Sequence, residues 1–213
     1  MLKILLNFIL LTTFFTLEIE AKSHKLTQKK RDFLAKMAPA VDGVYSELMR
    51  DYTLVQKILK ERKNDVILNK FYKKYHTQNA TELLKRMKPH PKAIALAQSA
   101  LESGWGSSRF FREANNIFGV WSFNKDEPRV PALKKRGKKT VYVKKYSSLK
   151  ESIKDYYKLM STSSALKGFR DAKIKGVGVK SLVKELRNYS EERDLYVKKI
   201  NSLIEYNGLE SYK

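Results

Sequence analysis

The chain of 213 residues contains no cysteine, which excludes disulfide bonds and thiolate metal sites. Histidine is almost missing too, since only His24, His76 and His90 occur and no H-E-x-x-H motif is present. We therefore expect neither a metal held by the protein nor another cofactor. Hydrophobic residues make up 42% of the chain, which is enough for one domain with a sizeable core and additional segments.

Long hydrophobic runs are absent except for Ile4 to Leu17. Lys3 precedes this run and a loose small-residue site ending at Ala21 follows it, so we predict an export signal over residues 1–21. A spanning helix needs roughly 20 apolar residues, which disfavours the alternative of a retained membrane anchor. The expected mature chain is soluble, without a stable membrane span, and periplasmic or secreted.

Acidic residues are also scarce, with 22 against 44 basic residues and a formal net charge of +22. Removal of residues 1–21 would raise that charge by one, because the segment holds one lysine and two glutamates. A charge of this size attracts polyanions. Nucleic acid is one such class, but the export signal and the even scatter of lysine argue against it. Anionic cell-wall or envelope polymers are the expected partners.

Residues 22–78 are predicted to form a helical N-terminal extension that packs on a domain of residues 79–213. Thr27 is a candidate cap for a helix through Ala38, which Pro39 would end. Amphipathic spacing then predicts helices over residues 41–62 and 65–75. A short helix through Lys88 follows Asn79, its candidate cap.

The stretch after Pro91 carries the main candidate for chemistry. Residues 93–101 are apolar on nearly every side, which predicts a buried helix, and Gly104 supplies its stop. Glu102 then lies in the last turn, where the helix dipole and nearby aromatic residues disfavour ionisation. A carboxyl group with a raised pKa serves as a general acid. The alternative is an ordinary solvated glutamate at a helix end.

Four motifs resemble the glucosaminidase family of peptidoglycan hydrolases, glycoside hydrolase 73 type, and in particular its Bax-like branch. They are ALAQSALESGWGSSRF, NNIFGVWSF, YSS-x-x-ES-x-x-x-YY and NYSEERDLYV, in family order from about Ala80 to Leu209. The resemblance implies a mainly α, lysozyme-like helical domain with a small β-hairpin lobe, similar to the flagellar peptidoglycan hydrolase domain. It also implies cleavage of β-1,4 bonds after N-acetylglucosamine in glycan strands, with Glu102 as the acid.

The same resemblance implies further site residues. Asn116 and Phe118 belong to the element that lines the sugar groove, and Tyr189 matches a tyrosine that reaches the catalytic groove. Trp105 and Trp121 are candidates for substrate binding, because aromatic faces stack on sugar rings. For each aromatic residue the alternative is plain core packing.

Residues 125–146 are expected to form the lobe, with Lys134 to Lys139 at a hairpin tip and a strand from Thr140 to Tyr146. Many relatives carry a second carboxylate there, but none occurs here between Pro128 and Lys150. Two routes remain open. One uses an acid from elsewhere, and the other uses the 2-acetamido group of the substrate as an internal nucleophile, oriented by Tyr189. The candidate acids are Asp126, Glu127, Glu191, Glu192 and Asp194.

Two of the helices expected after the lobe have candidate caps. Ser148 opens a capping box for a helix through Met160, and Ser190 is the candidate cap of a helix over residues 191–206. Three functions remain for the whole: an exported peptidoglycan hydrolase, a lytic transglycosylase of the same fold, or a non-catalytic basic protein that binds or assembles cell wall.

Overall fold

The computed structural model describes residues 26–61, 65–132 and 140–212. The predicted export signal and the predicted hairpin tip, Lys134 to Lys139, lie outside these ranges. The described part is mainly α with one small antiparallel sheet, which confirms the predicted fold class. None of the helices in the described ranges is long and apolar enough to cross a membrane.

The described residues form nine α-helices and two short strands. The helices are α1 (Gln28–Glu61), α2 (Asp65–Tyr75), α3 (Ala80–Met87), α4 (Lys92–Ser103), α5 (Arg109–Ala114), α6 (Leu149–Thr162), α7 (Lys167–Ile174), α8 (Val179–Lys184) and α9 (Asp194–Tyr206). The strands are β1 (Arg129–Pro131) and β2 (Tyr142–Lys144), and 3₁₀ turns cover Ser164–Leu166, Glu185–Asn188 and Leu209–Ser211.

Helix α1 runs straight through Pro39, so the prediction that this proline ends the helix is wrong. A proline inside a helix removes one backbone hydrogen bond. Here the flanking side chains of Met37, Val41 and Val44 are fully buried. Their packing offsets the lost bond and keeps the helix continuous. These residues belong to the same core cluster as α4, so the predicted extension is packed against the rest of the chain.

Helix α4 crosses the centre of this core. All eight of its residues from Ala93 to Ala100 are buried, including the polar Gln98 and Ser99. Gly104 adopts φ 58°, in the left-handed region, and its N–H bonds back to the carbonyl of Ala100, so the predicted glycine stop is confirmed. The Asn79 cap of α3 is confirmed as well, since its side chain accepts from the Glu82 N–H.

The small lobe consists of the β1–β2 pair and the loop before it. Val130 pairs with Val143, and Trp121 forms an isolated bridge with the same Val143. Asn116 ties the loop to the lobe, because its side-chain amide donates to the carbonyl oxygens of Val120 and Lys144 at 3.0 and 2.8 Å. The lobe therefore has a fixed position at the edge of the helical core.

The last two predicted caps have different outcomes. Ser148 caps α6 as expected, since its hydroxyl oxygen accepts from the Glu151 N–H. The prediction that Ser190 caps a helix starting at residue 191 is wrong, because α9 begins at Asp194. Ser190 instead accepts from the Glu192 N–H in a preceding turn, and Arg193 adopts φ 52°. The residues before α9 thus form a turn in place of a helical start.

Candidate functional site

Glu102 lies in the last turn of α4, where the sequence placed it, and is partly buried. Its carboxylate oxygen Oε1 accepts a hydrogen bond of 2.9 Å from the hydroxyl of Tyr196 in α9. The site thus joins the end of the central helix α4 to helix α9, which packs against it. The burial of α4 fixes the backbone, and Tyr196 fixes the carboxyl group.

Tyr196 is the last donor of a buried hydrogen-bond chain that ends at Glu102. The hydroxyl of Tyr156 lies 2.9 Å from His90 Nε2 and donates to Gln98 Oε1 at 2.5 Å. The Gln98 amide then donates to the Tyr196 hydroxyl at 2.8 Å. Because each hydroxyl has one proton, His90 must donate through Nε2 for the chain to be consistent. All donors then point toward Glu102.

The pKa of the Glu102 carboxyl is raised above its ordinary value, with burial as the largest cause. The negative charge of Glu192 raises this pKa further, whereas the hydrogen bond from Tyr196 and the charge of Lys199 lower it. Burial disfavours the ionised form, and a hydrogen bond to that form favours it. The net effect of these causes is a raised pKa, so Glu102 stays protonated to a higher pH than a solvated glutamate does.

A groove of about 770 Å³ lies between the lobe and the exposed side of α6. We call it the aromatic groove, because Phe118, Trp121, Phe123 and Tyr189 are among its lining residues. Trp121 is 40% exposed and Phe123 is 84% exposed, so both rings present apolar surface to solvent. Phe118 forms the floor, stacked on Tyr156 with centroids 3.9 Å apart. Planar rings of this kind suit the apolar faces of sugars.

Tyr189 connects the aromatic groove to Glu102. It lines the groove, and its ring stacks on Tyr196 with a centroid distance of 5.4 Å. Burial and the charge of Glu102 both raise the pKa of the Tyr189 hydroxyl, which therefore stays protonated. Tyr189 thus presents a hydrogen-bond donor at the groove, close enough to Glu102 for the carboxylate charge to act on it.

Two of the expected substrate-binding residues lie elsewhere. Asn116 is 1% exposed and its side chain is engaged by backbone groups, so it supports the groove without lining it. Trp105 packs on α1, with Phe33 at 5.5 Å and Lys30 over its ring at 4.9 Å. Neither residue lines the aromatic groove. The sequence motif thus includes residues that hold the fold as well as residues at the groove.

The candidate second carboxylates occupy different places. Glu127 lines the aromatic groove and lies 3.9 Å from Lys144. Glu192 is bonded to Lys199 at 2.7 Å and acts on Glu102 through its charge. Asp194 is exposed and paired with Arg187, and Asp126 and Glu191 are exposed. Only Glu127 of this set lines the groove.

Four residues with a role at the site were missed by the sequence reasoning: Gln98, Tyr156, Tyr196 and Asp155. Gln98 carried a usable signal, since it precedes Glu102 by four residues and so shares its helix face. Tyr156 and Tyr196 come from remote helices, and a chain separation of 94 residues hides the contact between Tyr196 and Glu102. Asp155 lines the groove and accepts from Lys144 and Tyr146.

Comparison with known proteins identifies the family of the chain. A family model described as mannosyl-glycoprotein endo-beta-N-acetylglucosaminidase matches residues 77–209. Protein bax of Escherichia coli is 29% identical over 120 residues, which cover 54% of this chain and 42% of that protein. Exo-glucosaminidase LytG of Bacillus subtilis is 31% identical over 129 residues, covering 56% and 45%. The chain spans less than half the length of these relatives.

Solved structures show the same fold. The catalytic domain of the autolysin Auto from Listeria monocytogenes matches with a TM-score of 0.56 at 19% identity, covering 92% of this chain and 94% of that domain. The glycoside hydrolase domain of FlgJ from Salmonella typhimurium matches with a TM-score of 0.54 at 21% identity, covering 85% and 90%. The predicted lysozyme-like fold is confirmed by these matches.

Proposed function

Because the chain belongs to the glucosaminidase family of glycoside hydrolases, we propose that it is an exported peptidoglycan hydrolase that cleaves the β-1,4 bond after N-acetylglucosamine. The observation that carries the proposal is the partly buried carboxyl group of Glu102, with its raised pKa, one tyrosine pair away from the aromatic groove. Glycoside hydrolysis needs a general acid within reach of the groove that holds the sugar rings. Glu102 is not itself a lining residue, and Tyr196 and Tyr189 link it to the groove.

In the proposed reaction, Glu102 donates its proton to the glycosidic oxygen as the bond to the anomeric carbon breaks. The carbonyl oxygen of the 2-acetamido group bonds to that carbon, and the hydroxyl of Tyr189 orients the group. Water then attacks the anomeric carbon, releases the acetamido oxygen and returns a proton to the Glu102 carboxylate. This route needs one acid and orienting groups, with no carboxylate from the lobe.

The stereochemistry of the product separates this route from one with a second carboxylate acting as base. Substrate assistance retains the β configuration, because the anomeric carbon is attacked twice. A carboxylate such as Glu127 that activates water directly would invert it. Proton NMR of the first product formed from a soluble glycan oligomer distinguishes the two, and an α product would exclude assistance by the acetamido group.

The end groups released from purified peptidoglycan test the proposed function itself. We expect mass spectrometry to show reducing N-acetylglucosamine ends that a Glu102→Gln variant does not produce. Anhydro-muramic ends would instead establish a lytic transglycosylase. Binding to sacculi without release of any soluble fragment would establish a non-catalytic wall protein. Each result excludes the other two.

Export is part of the proposal and rests on Lys3, the apolar run from Ile4 to Leu17 and the small-residue site ending at Ala21. The expected partners outside the cytoplasm are glycan strands and anionic envelope polymers, which a basic surface attracts. Fractionation of expressing cells, followed by mass measurement of the mature chain, tests this. The expected mass is that of a chain that begins at Lys22. Recovery of the intact chain in the cytoplasmic fraction would contradict export.

A further inference from the structure

A second cavity of about 670 Å³ opens beside the aromatic groove, and we call it the charged cleft. It lies between α1, the end of α2, α6 and the segment after β2. Its volume falls in the range of sites that bind small molecules or peptide segments. The proposed reaction does not use it, since Glu102 and Tyr189 do not line it.

The charged cleft and the aromatic groove share a wall. Glu127, Lys144, Asp155 and Lys158 line both cavities. Lys144 connects the residues of this wall, because its Nζ lies 2.9 Å from a carboxylate oxygen of Asp155 and 3.9 Å from one of Glu127. A polymer lying along the aromatic groove would therefore pass the mouth of the charged cleft, and a side branch of that polymer would reach into it.

The charged cleft is lined by more cationic than anionic side chains. All five carboxylates that line it have lysine partners: Glu47, Asp51, Glu127, Glu151 and Asp155. Arg50, Lys145 and Lys158 also line it, and none of them has an acidic partner within the described ranges. The lining holds six cationic and five anionic side chains, an excess of one positive charge, and these three cations are the ones left outside close ion pairs among the described residues.

The floor of the charged cleft holds a hydrogen-bond donor that is not satisfied. Tyr157 lines the cleft and is only 2% exposed. Its hydroxyl forms no hydrogen bond to any other residue that the structure describes. A buried polar group without a partner costs free energy, which a ligand oxygen would recover on binding. Tyr157 and the three cations together suit a carboxylate.

We propose that the charged cleft binds the stem peptide of peptidoglycan through its carboxylate groups while the glycan strand lies in the aromatic groove. The inference rests on the proposed function, because a glycan strand in the groove carries peptide branches on its muramic acid residues. A stem peptide is a flexible chain with free carboxylates, so it matches both the continuity of the two cavities and the surplus of cations.

Direct binding tests the cleft without any need for catalysis. The probe is a synthetic stem tetrapeptide, titrated against the full protein and followed by NMR. We expect the double variant Arg50→Gln, Lys145→Gln to weaken binding by roughly tenfold or more, since it removes two charged hydrogen-bond donors from the cleft. Tyr157→Phe should also weaken it. A control that removes the same charge elsewhere, Lys180→Gln with Lys184→Gln on α8, should bind as the wild type does.

Hydrolysis then connects the cleft to the groove. The rates on peptide-bearing glycan strands and on strands stripped of peptide by an amidase are compared for the same variants. We expect the double variant to raise KM on the peptide-bearing strands alone, with its rate on stripped strands unchanged. Equal behaviour of the double variant and the control in both assays would overturn the proposal. In that case, Glu102-dependent cleavage of stripped strands would still support the proposed function. Conversely, peptide binding that the double variant weakens, without cleavage of any strand, would support peptide binding by the cleft and contradict the proposed reaction.

Discussion

At the scale of single residues, the site depends on how Glu102 balances burial against hydrogen bonding. Burial raises the pKa of its carboxyl, and the hydroxyl of Tyr196 works in the opposite direction. The chain from His90 through Tyr156 and Gln98 sets the direction of that hydroxyl. The pKa of the proposed acid is therefore set by residues that do not line the aromatic groove, and removing different neighbours should shift that pKa in opposite directions.

The alkaline limb of the pH–rate profile should report these opposite effects. A general acid must be protonated, so the rate falls as pH rises through the pKa of Glu102. Tyr196→Phe removes a bond to the ionised form, which raises that pKa and moves the limb to higher pH. Glu192→Gln removes a negative charge and frees Lys199, which lowers the pKa and moves the limb to lower pH. Shifts in the same direction for both variants would contradict the assignment.

The buried Lys173 should make the free energy of unfolding depend on pH. It is 6% exposed, and burial first, then the charges of Arg170 and Lys88, lower its pKa to about 7. The unfolded lysine titrates near pH 10.4. Between these values the unfolded state binds more protons, so the stability should rise with pH from about 7 to about 10. Lys173→Met should remove this rise and increase the melting temperature at pH 7, as calorimetry would show. An unchanged pH dependence would exclude the buried lysine as its cause.

At the scale of elements, helix α1 is part of the core that holds α4 in place. Met37 is fully buried, whereas Leu54 on the same helix is 43% exposed. Met37→Ala should therefore lower the free energy of unfolding by roughly 2–5 kcal/mol, the usual range for a large core side chain. Leu54→Ala, the matched control, should change it by less than about 1 kcal/mol. Denaturant unfolding of both variants checks this, and equal small effects would mean that α1 is dispensable for the core.

The elements differ in how far the sequence predicts them. Helix α4 and its end follow from an apolar stretch bounded by Pro91 and Gly104, and the position of Glu102 follows from them. The end of a helix at Pro39 was predicted wrongly, because local propensity disfavours a proline inside a helix. Only the burial of its neighbours in the tertiary structure compensates for that propensity. The start of α9 after Ser190 was predicted wrongly, because a serine at a helix cap and a serine in a turn both accept a hydrogen bond from a backbone N–H a few residues later.

The site is less predictable than the helices, and for a physical reason. Gln98 lies four residues from Glu102, so helix geometry alone could have grouped them. Tyr196 and Tyr156 meet Glu102 and Gln98 only through packing between remote helices, and nothing local in the sequence reports that contact. Asn116 shows the reverse case, since a motif residue expected at the sugar holds the lobe instead.

At the scale of the whole molecule, the net charge of +22 is the feature that bears on the substrate. Basic proteins concentrate on anionic polymers, and salt screens the attraction, with a Debye length of about 8 Å at physiological ionic strength. Binding to intact sacculi should therefore weaken steadily as sodium chloride rises. A cosedimentation series in increasing salt measures this, with a neutral glycan polymer as the control that should show little change. Salt-independent binding to sacculi would exclude a major role for the charge.

The turnover of Glu102→Gln on purified peptidoglycan tests the central claim most directly. Glutamine keeps the size of the side chain and its place beside Tyr196, but it has no acidic proton to give. We expect the release of reducing ends to fall by orders of magnitude, while the variant stays folded and still sediments with sacculi. Release at a near wild-type rate by a folded Glu102→Gln protein would contradict the assignment of Glu102 as the acid.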